Sequence, residues 1–249
     1  MFAQINELIK VIDDAVWGLP LICLIMVTGI LLTVRLGGVQ VRHLGKAFKF
    51  MFQDEEDGHG EVTSFGALCT ALSATIGTGN IAGVATAIAA GGPGALFWMV
   101  VAAFFGMATK YSEGLLAIKY RTIDQDGHVL GGPFYYIENG IGPDWKRLAK
   151  IFAFFGAGVG LFGIGTFTQV NSIASAVKNF FDPDMAHTVT VLGNDYSIAT
   201  VIAGILLTVF VGLVVIGGIK RISKVSEVVV PFMAVLYVVL CLIIVFTNI

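Results

Sequence analysis

Ser73-Ala74-Thr75-Ile76-Gly77-Thr78-Gly79-Asn80-Ile81-Ala82-Gly83-Val84-Ala85 stands inside an apolar stretch that runs from Thr63 to Met99. A helix that only had to face lipid would not carry Gly77-Thr78-Gly79-Asn80. Each Gly costs about 1 kcal/mol of helix propensity relative to Ala, and Asn80 brings an amide to mid-membrane depth. Backbone groups freed by such a break are tolerated in a bilayer only where protein or a water-filled cavity covers them. Broken helices of this kind build the midplane substrate sites of many secondary transporters. The first expectation is therefore solute transport.

The rest of the chain agrees with a membrane setting. It is 249 residues long, 56% hydrophobic and 13% charged, with a mean hydropathy of +0.86. A soluble domain carries about 25% charged residues. Six spans are expected, at 15–34, 63–91, 94–118, 150–178, 197–217 and 227–247. Each is long enough to cross about 30 Å of hydrocarbon. Gly91-Gly92-Pro93-Gly94 separates the second from the third and predicts a tight turn, so these two should form a helical hairpin. The segment before the first span holds Glu7, Asp13 and Asp14 against Lys10, a poor start for a signal peptide.

Basic residues set the orientation. Arg35, Arg42, Lys46, Lys49, Lys119, Arg121, Lys146, Arg147, Lys150, Lys220, Arg221 and Lys224 all fall on one side of the alternating topology. Lys10 and Lys178 fall on the other, and Lys110 lies within the third span. The positive-inside rule makes the larger set cytoplasmic and both termini external. The acidic run Asp54-Glu55-Glu56-Asp57 does not upset this, because acidic residues contribute little to the rule. A net charge of −2, with cations at membrane edges rather than in one patch, gives no footing for nucleic acid. In the loop 120–149, Gly131-Gly132-Pro133 predicts the start of a short interfacial helix.

Chemistry concentrates in two places. At the break, an unwound helix exposes N–H groups from its second half, which suit an anion, and carbonyls from its first half, which suit a hard cation. Gly79 and Gly83 also fit a small-xxx-small packing face, an alternative that leaves the break without a ligand. The fourth span carries Gly156, Gly158, Gly160, Gly163 and Gly165, then Gln169 and Asn171. Gly156 and Gly160 suggest close helix contact. Gln169 can offer its amide to a ligand or to a neighbouring helix. Lys110 and Glu113 are spaced i,i+3 and should pair. Cys23, Cys69 and Cys241 read as buried small hydrophobes, and His43, His59, His128 and His187 share no ligand spacing. No P-loop, nucleophile elbow or converging acid–base pair supports ATP use or an enzyme.

At this point the residues resemble the alanine or glycine:cation symporters, the sodium/alanine symporter family. The resemblance rests on the block Ser73 to Ala85 and on Gly91-Gly92-Pro93-Gly94-Ala95-Leu96-Phe97-Trp98-Met99. It continues through Gly106-Met107-Ala108-Thr109-Lys110-Tyr111-Ser112-Glu113-Gly114 and Gly131-Gly132-Pro133-Phe134-Tyr135-Tyr136-Ile137. It implies an all-α, polytopic LeuT-type fold with two inverted five-helix repeats, an architecture for which LeuT is a standard example. The chain 1–249 would be one transmembrane domain. Residues 15–34 would be an additional N-terminal helix, and 63–247 the first repeat with a broken core helix one.

By the same resemblance, Gly77, Thr78 and Gly79 would meet an amino-acid carboxylate through their N–H groups. Thr75 and Asn80 would line the pocket, and Gln169 would touch the substrate. Backbone oxygens near Ser73 and Ile76 would take Na⁺. The implied activity is sodium-coupled, or alternatively proton-coupled, symport of small neutral amino acids such as alanine or glycine across the cell (inner or plasma) membrane. Na⁺ is the coupling ion and no organic cofactor is expected. Family members are much longer, and this chain stops at Ile249, where the first repeat would end. That implies a fragment, a split or truncated product, or a half awaiting its partner. The rival is a membrane scaffold or assembly subunit that transports nothing.

Overall fold

The computed structural model describes residues 2–53, 61–163, 165–191 and 193–248. The acidic run at 54–57 and His59 lie outside them. Helices dominate, in the order α1 (Phe2–Trp17), α2 (Leu19–Arg35), α3 (Val39–Arg42), α4 (Leu44–Met51), α5 (Ser64–Thr75), α6 (Ala82–Gly91), α7 (Pro93–Lys119), α8 (Pro133–Tyr136), α9 (Lys146–Leu161), α10 (Thr166–Phe181), α11 (Ile198–Val215) and α12 (Gly218–Thr247). Two antiparallel hairpins interrupt them: β1 (Thr122–Ile123) with β2 (Val129–Leu130), and β3 (Thr188–Val191) with β4 (Asn194–Ser197).

Among the described residues, five apolar helical stretches are long enough to cross a bilayer: Gln4–Arg35, Pro93–Lys119, Pro143–Phe181, Ile198–Val215 and Gly218–Thr247. Ser64–Thr75 and Thr78–Gly91 form a pair bent by 66°, which makes six if the pair is one broken span. The chain is thus a multi-pass membrane protein, and the expected spans fall on these stretches, the fourth of them interrupted between α9 and α10. Large apolar side chains stand exposed along them, Leu24 at 64% and Phe97 at 62%, as suits a lipid-facing surface.

The chain divides into two compact units. The first comprises Met1–Lys49 and Ala87–Ala153. Its frame is α2 packed on α7, drawn close at Gly29, where an added Cβ would stand 3.0 Å from the Cβ and carbonyl oxygen of Phe105. Gly92 takes φ +68 between α6 and α7, with Pro93 opening α7, which is the expected turn. The loop after α7 is ordered. Its β1–β2 hairpin went unread in the sequence. Gly-Gly-Pro starts α8 as expected, and the chain runs on through a π-helical turn at Ile137–Ile141. Burial and the Glu113 carboxylate push the Tyr136 phenol up, with Lys110 opposing. Lys110 pairs with Glu113 at 3.0 Å, as its spacing predicts.

The second unit comprises Phe50–Thr86 and Phe154–Ile249. Here α5 packs along α12, α11 packs on α10 and α12, and β4 leads into α11. Asp182, just beyond α10, is the knot of the corner between α10 and the β3–β4 hairpin. It accepts from the Ser197 hydroxyl at 2.6 Å and from the Ala186 N–H at 2.7 Å. The Ser197 bond, followed by the backbone donors, holds its carboxyl below the usual carboxylate range. A depressed carboxylate stabilises the fold above its unfolded value and loses that contribution as pH falls through the folded one. Amide protection across β3–β4 should therefore be full through the ordinary carboxylate range and weaken only as pH falls below that range towards the depressed folded value. Ser197→Ala should move that loss to higher pH, as hydrogen exchange at stepped pH would read.

Of the three cysteines, Cys69 is buried as expected, Cys241 is half-buried and Cys23 is exposed; all are free.

Candidate functional site

The site is built at the break. Thr63 caps α5 by accepting from the Gly66 N–H. The helix proceeds to Thr75 and then gives way to extended backbone at Ile76 (φ −92, ψ 118) and Gly77 (φ −155, ψ −162). A single 3-10 turn, Thr78–Asn80, precedes α6. Asn80 stabilises the break from within. Its Oδ1 accepts from the Gly77 N–H at 2.9 Å, while its own N–H donates to the Gly77 carbonyl at 3.1 Å. An Asn side chain closing a turn on nearby backbone is the local competition that keeps this residue out of helix interiors.

The consequence is an asymmetric set of open backbone groups. Among the described residues, the N–H groups of Thr78 and Gly79 have no hydrogen-bond partner. On the other side, the Ile76 N–H still donates to Leu72, but among the described residues no backbone donor meets the carbonyls of Ser73 through Ile76. The Ser73 and Thr75 hydroxyls are turned back onto their own helix, donating to Thr70 and Ala71 carbonyls. No charged side chain occurs anywhere from Ser64 to Gly91. Donors and acceptors at the break therefore have no counter-charge on their own segment.

Gln169 meets this break. The fourth expected span is not continuous. α9 ends at Leu161, Gly163 and Gly165 take φ +60 and +88, and α10 begins at Thr166. These glycines therefore serve an interruption, which the sequence reading took for part of one span. The Gly163-x-Gly165 spacing, so close to Gln169, was the available signal. The interruption places Gln169 in the first turn of α10. A Cβ added to Gly77 would stand 2.9 Å from its Oε1 and 3.1 Å from its Nε2. The amide thus lies directly over Gly77.

Of the expected site residues, Ser73, Thr75, Ile76, Gly77, Thr78, Gly79 and Asn80 share the break, and Gln169 joins them. Two details differ from the expected roles. The Gly77 N–H is engaged by Asn80 rather than open, and Asn80 spends its acceptor on that bond. The packing alternative for the glycines gains no contact here. Among the described residues nothing comes within 4 Å of a Cβ built on Gly79, Gly83, Gly156, Gly158 or Gly160. A cavity of about 730 Å³ elsewhere, lined by Val177, Phe181, His187 and Ile202 around Asp182, has that carboxylate occupied by its own corner.

Against known proteins, residues 2–249 match the model of the sodium:alanine symporter family. The chain is 51% identical over 245 residues to an uncharacterized transporter of Haemophilus influenzae, covering 98% of this chain and 50% of that protein. It is 48% identical over 248 residues to the sodium/alanine symporter AgcS of Methanococcus maripaludis, covering 98% and 51%. It is 35% identical over 245 residues to the amino-acid carrier protein AlsT of Bacillus subtilis, covering 98% and 48%. The chain spans about half the length of the curated relatives it matches.

Proposed function

Since this chain belongs to the sodium:alanine symporter family, we propose that it supplies the substrate-binding half of a sodium-coupled symporter for small neutral amino acids such as alanine or glycine. In this reading it is the first inverted repeat of a LeuT-type transporter, α5 and α6 are its broken core helix, and it sits in the cytoplasmic (plasma) membrane. The observation that carries the reading is the convergence of open Thr78 and Gly79 donors, the unmatched Ser73–Ile76 carbonyls and the Gln169 amide on one uncharged break. The relatives named for a function are a symporter and a carrier, so no observation favours the scaffold alternative.

The chemistry follows from the missing counter-charge. The substrate carboxylate takes the Thr78 and Gly79 N–H groups at the positive end of the second half-helix. Na⁺, a hard cation, takes carbonyl oxygens near Ser73 and Ile76 at the negative end of the first. Neither charge finds an ion in the break to balance it, so each offsets the desolvation of the other. At an effective dielectric of about 20, opposite charges 4 Å apart attract by about 4 kcal/mol. That mutual dependence is a coupling free energy, and it is reciprocal: Na⁺ tightens alanine as much as alanine tightens Na⁺. Gln169, over Gly77, reaches the polar end of the substrate. Small side chains fit because Gly and Ala dominate the break.

The test is uptake of labelled alanine and glycine by proteoliposomes holding this chain extended to the length of its relatives. The expected result is uptake that follows an inward Na⁺ gradient. Uptake of neither amino acid under that gradient by folded protein would overturn the proposal. A finer expectation concerns Gly77→Ala. The new methyl group collides with the Gln169 amide, which can swing away, so folding survives while substrate affinity drops; a binding isotherm at fixed Na⁺ checks this.

A further inference from the structure

We propose that Glu227 is a positioning residue that fastens the first turn of α5 to α12 and thereby fixes where the carbonyl-bearing end of α5 stands at the break. Its consequence for transport rests on the function proposed above; the contact itself does not.

Glu227 is a half-buried carboxylate on α12, on a face that also carries Ser223 and Ser226. Among the described residues it makes no ion pair, and its partner is the Thr63 hydroxyl, which donates to Oε1 at 3.0 Å. A carboxylate taken partly out of water needs such a bond. Thr63 serves twice. Its hydroxyl hydrogen goes to Glu227, and its oxygen accepts from the Gly66 N–H at 3.0 Å. One hydroxyl has a donor and spare lone pairs, so both bonds coexist. Glu227 thus holds the capping residue of α5 in its capping pose, with its negative charge beside the positive end of that helix.

The arrangement depends on close approach. A Cβ on Gly66 would strike Glu227 Oε1 and Ser223 Oγ. Cys69 on α5 and Ser223, Ser226 and Val230 on α12 are buried along the same seam. The start of α5 is therefore held by short directional contacts. Its far end runs into two extended residues, Ile76 and Gly77, which transmit no helical stiffness. α5 has 12 residues, so it is a rod of about 18 Å, and a tilt of about 10° at the clasp would shift its last carbonyls by about 3 Å. That is more than a cation–oxygen distance. The cation site is only as well placed as the clasp at the other end of the rod.

The experiment is site-resolved hydrogen exchange on the 249-residue chain in nanodiscs, comparing wild type, Glu227→Ala, Glu227→Gln, Thr63→Val and the double variant Thr63→Val with Glu227→Ala. Loss of a helix cap should raise exchange of the Gly66–Cys69 amides about tenfold in Glu227→Ala and in Thr63→Val, with α2 and α7 unchanged. Glu227→Gln keeps an acceptor for the same hydroxyl and should stay near wild type. The double variant should match Thr63→Val, because without that hydroxyl Glu227 has nothing left to fasten. If Glu227→Ala also loosens α2 and α7, Thr63→Val decides: a rise confined to α5 supports the clasp, and no rise overturns it. Unchanged exchange in both single variants, additive effects, or Glu227→Gln behaving as Glu227→Ala would each overturn it. A second readout uses the extended chain. There Glu227→Ala should raise the Na⁺ concentration for half-maximal uptake, and Glu227→Gln should restore it. Absence of uptake in wild type counts against the proposed function, while the exchange data still judge the clasp.

Discussion

Gly79→Val is expected to abolish sodium-driven uptake by the chain extended to the length of its relatives, while membrane insertion and yield stay at wild-type level. The reason is the contrast between two glycines two positions apart in one break. At Gly77 an added Cβ meets Gln169; at Gly79 it meets nothing within 4 Å. A valine side chain at Gly79 therefore enters open space. Nothing in the protein is pushed, so the fold has no cause to suffer. What the branched side chain fills is the space above the Thr78 and Gly79 donors, where the carboxylate is proposed to lie. The donors are thereby shut off from the anion. Uptake and surface expression measured on the same cells check this, and normal uptake would remove Gly79 from the pocket.

Gln169→Ala has the second largest expected effect. The amide stands over Gly77 at the edge of the open donors, and α10 presents it from its first turn. Removing a hydrogen bond to a charged group typically costs 1.5–3 kcal/mol, so alanine affinity should fall about 10- to 150-fold. Stability should change little, because Gln169 is exposed and among the described residues no hydrogen bond holds its side chain. Binding titrations against thermal unfolding separate these outcomes. Unchanged affinity would return Gln169 to a packing role.

Much of this was legible before any coordinates. Long apolar runs leave few choices in a bilayer, so the spans and the Gly77–Asn80 break follow from residue types alone. The Lys110–Glu113 pair follows from spacing. What escaped has identifiable causes. The β3–β4 hairpin depends on Asp182 and Ser197 meeting across 15 residues, a tertiary bond with no local pattern. The interruption before α10 hid inside a glycine-rich run, where helix packing and chain breaking look the same until φ turns positive. Glu227 was invisible for a different reason. A lone carboxylate at a span edge reads as interfacial, and only the approach of Gly66 gives it a partner.

The most direct test of the account is hydrogen exchange at the Thr78 and Gly79 amides in the extended chain, measured without ligand, with Na⁺, with alanine and with both. The account predicts fast exchange at these two positions without ligand, weak protection with either alone, and strong protection only when Na⁺ and alanine are present together. Protection of these amides that ignores both ligands, or ligand-dependent protection confined to other segments, would contradict it.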